Sequence, residues 1–261
     1  MRAVLGIDAA WTATEPSGVA LAISNGGRWK LAGVASSYAV FGQPRTLHRA
    51  RGSSPDIPSL LRAAETLAGH PVDLVAVDMP LSHEPITCRR TSDQAVSLAY
   101  GGRWAGTHNP NPERPGKIGE TLTNGLKAAG YPLLTTEIAS RGVIEVYPHP
   151  ALVELANAEK RLPYKIGKIR EYWRDKTPAE RKELLVDIWK VIIDLLEQEM
   201  DGVEEALLPP QVTARGHELK AFEDALDAVV CAWVGIMALE GKAVPFGDEI
   251  SAIWIPQGTR P

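Results

Sequence analysis

The sequence predicts a mixed α/β domain with a five-stranded mixed sheet, antiparallel through strands one to three and parallel where strands one, four and five adjoin, flanked by helices. Three observations predict it. Short aliphatic runs recur, and two of them, Val4 to Asp8 and Val72 to Pro80, carry an acid at their ends. A tight-turn signal, Asn25-Gly26-Gly27, joins the second and third runs. From Phe222 to Met237, apolar residues recur at three- and four-residue steps, the pattern of a helix buried along most of its length.

In chain order, Val4 to Asp8, Gly18 to Ser24 and Arg28 to Ser36 form an antiparallel meander. The loop Ala9 to Ser17 leaves directly from Asp8, as functional loops often leave strand ends, and its Trp11 and Thr12 suit either local packing or a ligand. Ser53-Ser54-Pro55 introduces a helix from about Ile57 to Ala68, closed by Gly69. Val72 to Pro80 is almost continuously apolar, as expected of a strand covered on both faces, and Asp78 lies near its end. Residues 81–140 break the pattern with Pro, Gly and Asn clusters, isolated arginines and a helix from Ile118 to Ala129 capped by Gly130. They read as an insertion over the carboxyl ends of the strands, where ligand loops of open α/β sheets collect.

Val143 to Tyr147 is the fifth strand, carrying Glu145, and Pro148-His149-Pro150 starts a helix through about Ala156. A basic, aromatic segment follows, containing Lys160, Arg161, Tyr164, Lys165, Lys168, Arg170, Tyr172 and Trp173. It suits a surface that holds single-stranded nucleic acid by charge and stacking, or a solvated helix face. Thr177-Pro178-Ala179-Glu180 is a capping box that opens a helix to about Met200. Pro209-Pro210 breaks the chain before the last helix, and Ser251 to Pro256 is a short terminal strand. The plan is one domain over 1–261, with an insertion at about 81–140 and an extra helical segment at about 157–208.

The 261 residues, 44% hydrophobic and 23% charged, suffice for a full core. A net charge of −4 excludes a surface coated in basic residues. The charge is uneven: 12 Lys+Arg stand against 8 Asp+Glu from Ser82 to Arg170, and 9 against 18 from Glu171 onward, leaving room for a local positive zone. Cys88 and Cys231 have no partners at zinc spacing, and Cys231 falls among core residues. No apolar run approaches the roughly 20 residues that span a bilayer, and Asp8 precedes any signal-like stretch. A cytoplasmic protein without a membrane segment is therefore expected.

A helix advances about 100° per residue, so Asp224 and Asp227 lie roughly 60° apart on one stripe. Taken alone, they suit a solvated helix edge, or an Asp224–Lys220 pair at i,i+4. Parallel neighbouring strands, however, place Asp8 and Asp78 on one sheet edge, and the last helix can bring Asp224 and Asp227 there. Four converging carboxylates repel one another. Mg²⁺ or Mn²⁺, hard ions that take oxygen ligands, resolve the repulsion, and a pair of such ions about 4 Å apart is a known device for phosphodiester cleavage.

The stretch Asp224-Ala-Leu-Asp227-Ala resembles the carboxylate helix of RuvC-like Holliday-junction resolvases. Gly6-Ile7-Asp8, Ala76-Val77-Asp78-Met79-Pro80, Glu145-Val-Tyr-Pro-His-Pro150 and Asp224-x-x-Asp227 together resemble domain-of-unknown-function family 429, predicted nucleases of the RNase H-like fold. The resemblance implies that fold and a two-ion Mg²⁺ or Mn²⁺ site at Asp8, Asp78, Asp224 and Asp227. The resolvases have Glu where this chain has the shorter Asp78. Glu145 belongs to a Glu-x-x-Pro pattern and is either a fifth catalytic carboxylate or a solvent-facing strand residue. Arg89 and Arg90, with Asp93, suit an element contacting substrate phosphates or an internal salt bridge. His217, two turns before Asp224, suits a proton shuttle, a substrate contact or a surface histidine; Arg103 and His108 are weaker candidates.

The expected function is thus metal-dependent cleavage of a small or structured nucleic acid. An ATP-binding phosphotransferase is a second expectation, although the loop after Asp8 lacks the Gly-rich, Thr-containing form and no P-loop or GxGxxG occurs. A non-catalytic binding module is a third, opposed by the lack of an evident set of inward bases to pair the acids. Asp8→Asn and Asp227→Asn are both expected to abolish activity while keeping or raising stability without metal.

Overall fold

Alternation along the first strand, β1 (Arg2–Asp8), sets the architecture. Ala3, Leu5 and Ile7 face one core, while Val4 faces a second core on the opposite side of the sheet. Such two-sided burial is what a central strand requires. The computed structural model describes residues 1–42, 52 and 55–258. Within it, β2 (Gly18–Ser24) pairs antiparallel with β1, and β3 (Lys30–Ala35) antiparallel with β2. The chain then crosses through helix α1 (Ile57–Ala68) to β4 (Leu74–Asp78), parallel to β1. Gly69 closes α1 in the left-handed conformation. Ser53 and Ser54 lie outside the described residues; the cap itself is Asp56, whose carboxylate accepts the Ser59 N–H at 3.2 Å.

Between β4 and β5 (Gly142–Val146, parallel to β4) lie α2 (Thr91–Tyr100) and α3 (Lys117–Ala128). Helix α4 (Pro148–Leu155) follows, then short α5 (Ile169–Tyr172) and long α6 (Pro178–Glu199), which opens with the Thr177–Glu180 capping box. One-turn α7 (Val203–Ala206) precedes α8 (Gly216–Leu239), a helix buried without a break from Glu223 to Ala238. The sheet has seven strands, not five, in the order β3-β2-β1-β4-β5-β7-β6. The terminal run is β7 (Ala252–Pro256), parallel to β5, and β6 (Ala243–Gly247) pairs antiparallel outside it. Strand β6 is not anticipated from the sequence; its Pro245 is tolerated because β6 is an edge strand. No helix among the described residues is long and apolar enough to cross a membrane.

Helices α1 and α3 cover the face carrying Leu5 and Ile7, and α8, backed by α6, covers the face carrying Val4. Two glycines let α8 approach the sheet closely. A Cβ on Gly6 would stand 2.2 Å from the Ala228 carbonyl oxygen, and one on Gly18 would stand 1.9 Å from that of Asp224. The acidic turn of α8 therefore rests directly on the ends of β1 and β2.

Candidate active site

Strand parity determines which acids meet. Val4 and Gly6 face α8, so Asp8 faces it too; on β4, Leu74 and Ala76 face α8, and so does Asp78. Asp8 and Asp78 are register partners in the parallel β1–β4 pair, which puts their Cα atoms about 4.8 Å apart, one strand spacing. Neither carboxylate accepts a hydrogen bond or forms an ion pair among the described residues. Asp224, 2% exposed, joins them as lining of one cavity of about 530 Å³, with Trp11, His108, Asn111, Arg114 and Lys220 on its walls. The Arg114 guanidinium lies over the Trp11 ring at 5.5 Å.

The α8 acids have cationic partners. Lys220 donates to Asp224 Oδ1, while Asp224 Oδ2 is buried with no partner. Asp227, wholly buried, accepts the Tyr164 hydroxyl on Oδ1 at 2.8 Å and the Lys165 ammonium on Oδ2. Glu223 lies 3.6 Å from Lys165 Nζ through Oε1 and accepts the Ile166 N–H on Oε2 at 2.5 Å. The segment between α4 and α6 thus crosses the outside of α8 and inserts Tyr164 and Lys165 beside Asp227. The Trp189 indole of α6 holds that segment by donating to the Tyr164 carbonyl at 2.9 Å. Among the described residues, no three His, Cys, Asp or Glu side chains close into a metal cage. Two of the four converging acids turn an oxygen toward ammonium groups instead.

The remaining expected residues are distributed as follows. Glu145 is one register step short of Asp78, opposite Val77, and so points to the other face of the sheet. Its Oε2 accepts the Leu81 N–H at 2.7 Å, and both oxygens take a bidentate Arg90 guanidinium at 2.5 and 2.8 Å. Arg90 also binds both oxygens of Asp93 and the Leu81 carbonyl, so its five donors are spent inside the fold. Exposed Arg89 donates to the Asp93 carbonyl alone among the described residues, and exposed His217 lies outside the cavity lining. Thr12 accepts the Glu15 N–H within its own turn, while its neighbour Trp11 lines the cavity. Arg103 is paired with Glu154 at 2.5 Å. Tyr164, Lys165, Glu223 and Arg114 are the additions. Only Glu223 had a local signal, four residues before Asp227 on the same helix face.

Electrostatics follow from this placement. Burial, reinforced by Asp227, pushes the Asp8 carboxyl well above the usual range, against the pull of Lys165. Burial lifts Asp78 to about 7, with Asp227 and Glu145 adding to it. It lifts Asp224 to about 6 against the pull of Lys220. Burial works against the Lys165 ammonium, yet Asp227, Tyr164 and Glu223 outweigh it and hold the lysine well above its ordinary value.

An acid whose pKa is higher folded than unfolded keeps its proton longer in the folded state, so its contribution to stability falls as pH rises between the two values. For Asp78 that window runs from 3.8 to about 7. The melting temperature of metal-free Asp78→Asn is therefore expected to gain on wild type steadily from about pH 4 to about pH 7. A difference that stays constant across parallel melts in that window would contradict the burial of this charge.

A family model described as Protein of unknown function (DUF429) matches residues 6–251, which include every acid and both lysines of the site. No curated protein matches the chain, and no solved structure does.

Proposed function

The chain belongs to the family described as Protein of unknown function (DUF429), and we propose that it is a metal-dependent phosphodiesterase, a cytoplasmic nuclease of the RNase H-like class acting on a small or structured nucleic acid. The observation that carries this reading is the set of oxygens around the cavity. Among the described residues, Asp8 and Asp78 stand abreast without partners, and the buried Asp224 Oδ2 has none either. Carboxylate oxygens in such a position are costly unless they meet a cation. An all-oxygen set suits Mg²⁺ or Mn²⁺ rather than zinc.

Asp8, Asp78 and Asp224 would hold the ion. When bound, it would lower the pKa of a coordinated water and offset charge at a phosphate. The chain supplies the rest. Arg114 and Lys220 on the cavity wall offer positive charge to a phosphate, and Trp11 offers a flat face to a base. A second ion would require Asp227 to exchange Lys165 for it. The RNase H-like assignment is supported by the antiparallel β1–β3 meander, by β4 and β5 parallel beside it, and by a carboxylate helix across β1. The non-catalytic reading gains one specific observation: Lys165 and Lys220 are the inward bases that the sequence did not reveal as a set.

Calorimetric titration with Mn²⁺, paired with cleavage assays on single-stranded, duplex and junction DNA and RNA, separates these readings. Wild type is expected to bind Mn²⁺ and cleave at least one substrate. Asp8→Asn is expected to lose at least about 10³-fold in turnover along with its metal affinity. Undiminished Mn²⁺ binding by Asp8→Asn would sink the metal reading. ATP hydrolysis without cleavage would favour a phosphotransferase.

A further inference from the structure

The geometry points to Lys165 as a built-in cation that stands in place of a second divalent ion, so that the cluster takes one Mg²⁺ or Mn²⁺ through Asp8, Asp78 and Asp224. This rests on the phosphodiesterase reading and sharpens it. Asp227 differs from the other three acids. It has no exposed surface, and both of its oxygens are taken, one by the Tyr164 hydroxyl and one by the Lys165 ammonium. Asp8 and Asp78 are without partners among the described residues, and Asp224 keeps one buried oxygen free.

The two lysines also differ. Lys220 sits on the cavity rim with its side chain half exposed, reaching Asp224 and Glu223 from its own helix. Lys165 is 20% exposed, and its segment is fixed on both sides. The Ile166 N–H is tied to Glu223 at 2.5 Å and the Tyr164 carbonyl to the Trp189 indole at 2.9 Å, whereas Glu223 Oε1 is shared by both ammoniums, 3.6 Å from Lys165 and 3.4 Å from Lys220. A surface lysine that had merely drifted onto an acid would lack this bracing. A braced ammonium in contact with a buried carboxylate supplies fixed positive charge where a two-ion site would use its second metal.

The test is Mn²⁺ titration calorimetry on the full chain, compared with Lys165→Met and with the double variant Lys165→Met/Asp227→Asn, which replaces the ion pair by a neutral pair of similar shape. Wild type is expected to bind one ion. The double variant is also expected to bind one, within about tenfold of wild-type affinity, the range for a supporting residue rather than a ligand. Lys165→Met alone frees Asp227 and is expected to raise the stoichiometry to two; if it fails to fold, the double variant, which removes the ammonium and its contact carboxylate together, decides. Two ions in wild type, or loss of the ion in the double variant, would overturn the inference alone. No ion in wild type would overturn both it and the phosphodiesterase reading.

Discussion

Asp227→Asn is expected to lower the melting temperature of the metal-free protein by about 6–20 °C, whereas Asp8→Asn, at the end of the adjacent strand, is expected to leave it unchanged or raise it. From the sequence the two substitutions look equivalent, since each removes one charge from a crowded acid cluster. The structure divides them. Asp8 has no partner among the described residues and is surrounded by like charges, so neutralising it relieves repulsion. Asp227 is the contact counterion of Lys165 in the interior, and its loss leaves a braced ammonium with only the more distant Glu223, at 3.6 Å, as an ion-pair partner among the described residues. Removing one partner of a buried pair costs about 3–5 kcal/mol, because the other charge loses its contact counterion. Thermal melts of the two variants, both in chelator at pH 7, make the comparison. Equal stability of Asp227→Asn and Asp8→Asn would show that Lys165 does not depend on Asp227.

This divergence marks the boundary of what the sequence could convey. Period-two alternation places Asp8 with Val4 and Gly6, and Asp78 with Leu74 and Ala76, so the meeting of these acids beneath α8 was legible from residue order and strand type alone. The same parity sends Glu145 to the opposite face, a step the Glu-x-x-Pro resemblance obscured. Helix α8 and the capping box of α6 were legible because each is local: a three-to-four period in one, four consecutive residues in the other. Lys165 was not. Its partner Asp227 is 62 residues away and is reached by an irregular segment whose path depends on the docking of α6. In one dimension Tyr164 and Lys165 are an aromatic and a base in a basic stretch, which is also the composition of a nucleic-acid surface. Helix α2 was missed for a related reason. Its cap is Arg90 with Asp93, a pair that serves the buried Glu145 network at the same time, and arginine is not a usual capping residue.

Gly18→Ala is expected to cost about 3 kcal/mol or more and to abolish Mn²⁺ binding in whatever folded protein remains, since it places a methyl group where the backbone of α8 already lies. A Cβ there would stand 1.9 Å from the carbonyl oxygen of Asp224 and 2.6 Å from its carbonyl carbon, so a side chain cannot rotate away to relieve the overlap; the helix itself must move. Gly6→Ala is expected to act in the same way one turn further along, against the Ala228 oxygen at 2.2 Å and the Ala232 nitrogen at 2.4 Å. Gly27→Ala is the control, with open space around the added atom and an expected change within about 0.5 kcal/mol. Chemical denaturation and Mn²⁺ titration of the three variants read stability and site geometry separately. A Gly18→Ala protein as stable as wild type would mean that α8 does not rest on β2 as described. A destabilised one that still binds Mn²⁺ at wild-type affinity would mean that the ion does not depend on Asp224. Gly6 and Gly18 are therefore part of the site although neither carries a functional group: by letting α8 settle against β1 and β2, they bring Asp224 into the cavity that Asp8 and Asp78 share.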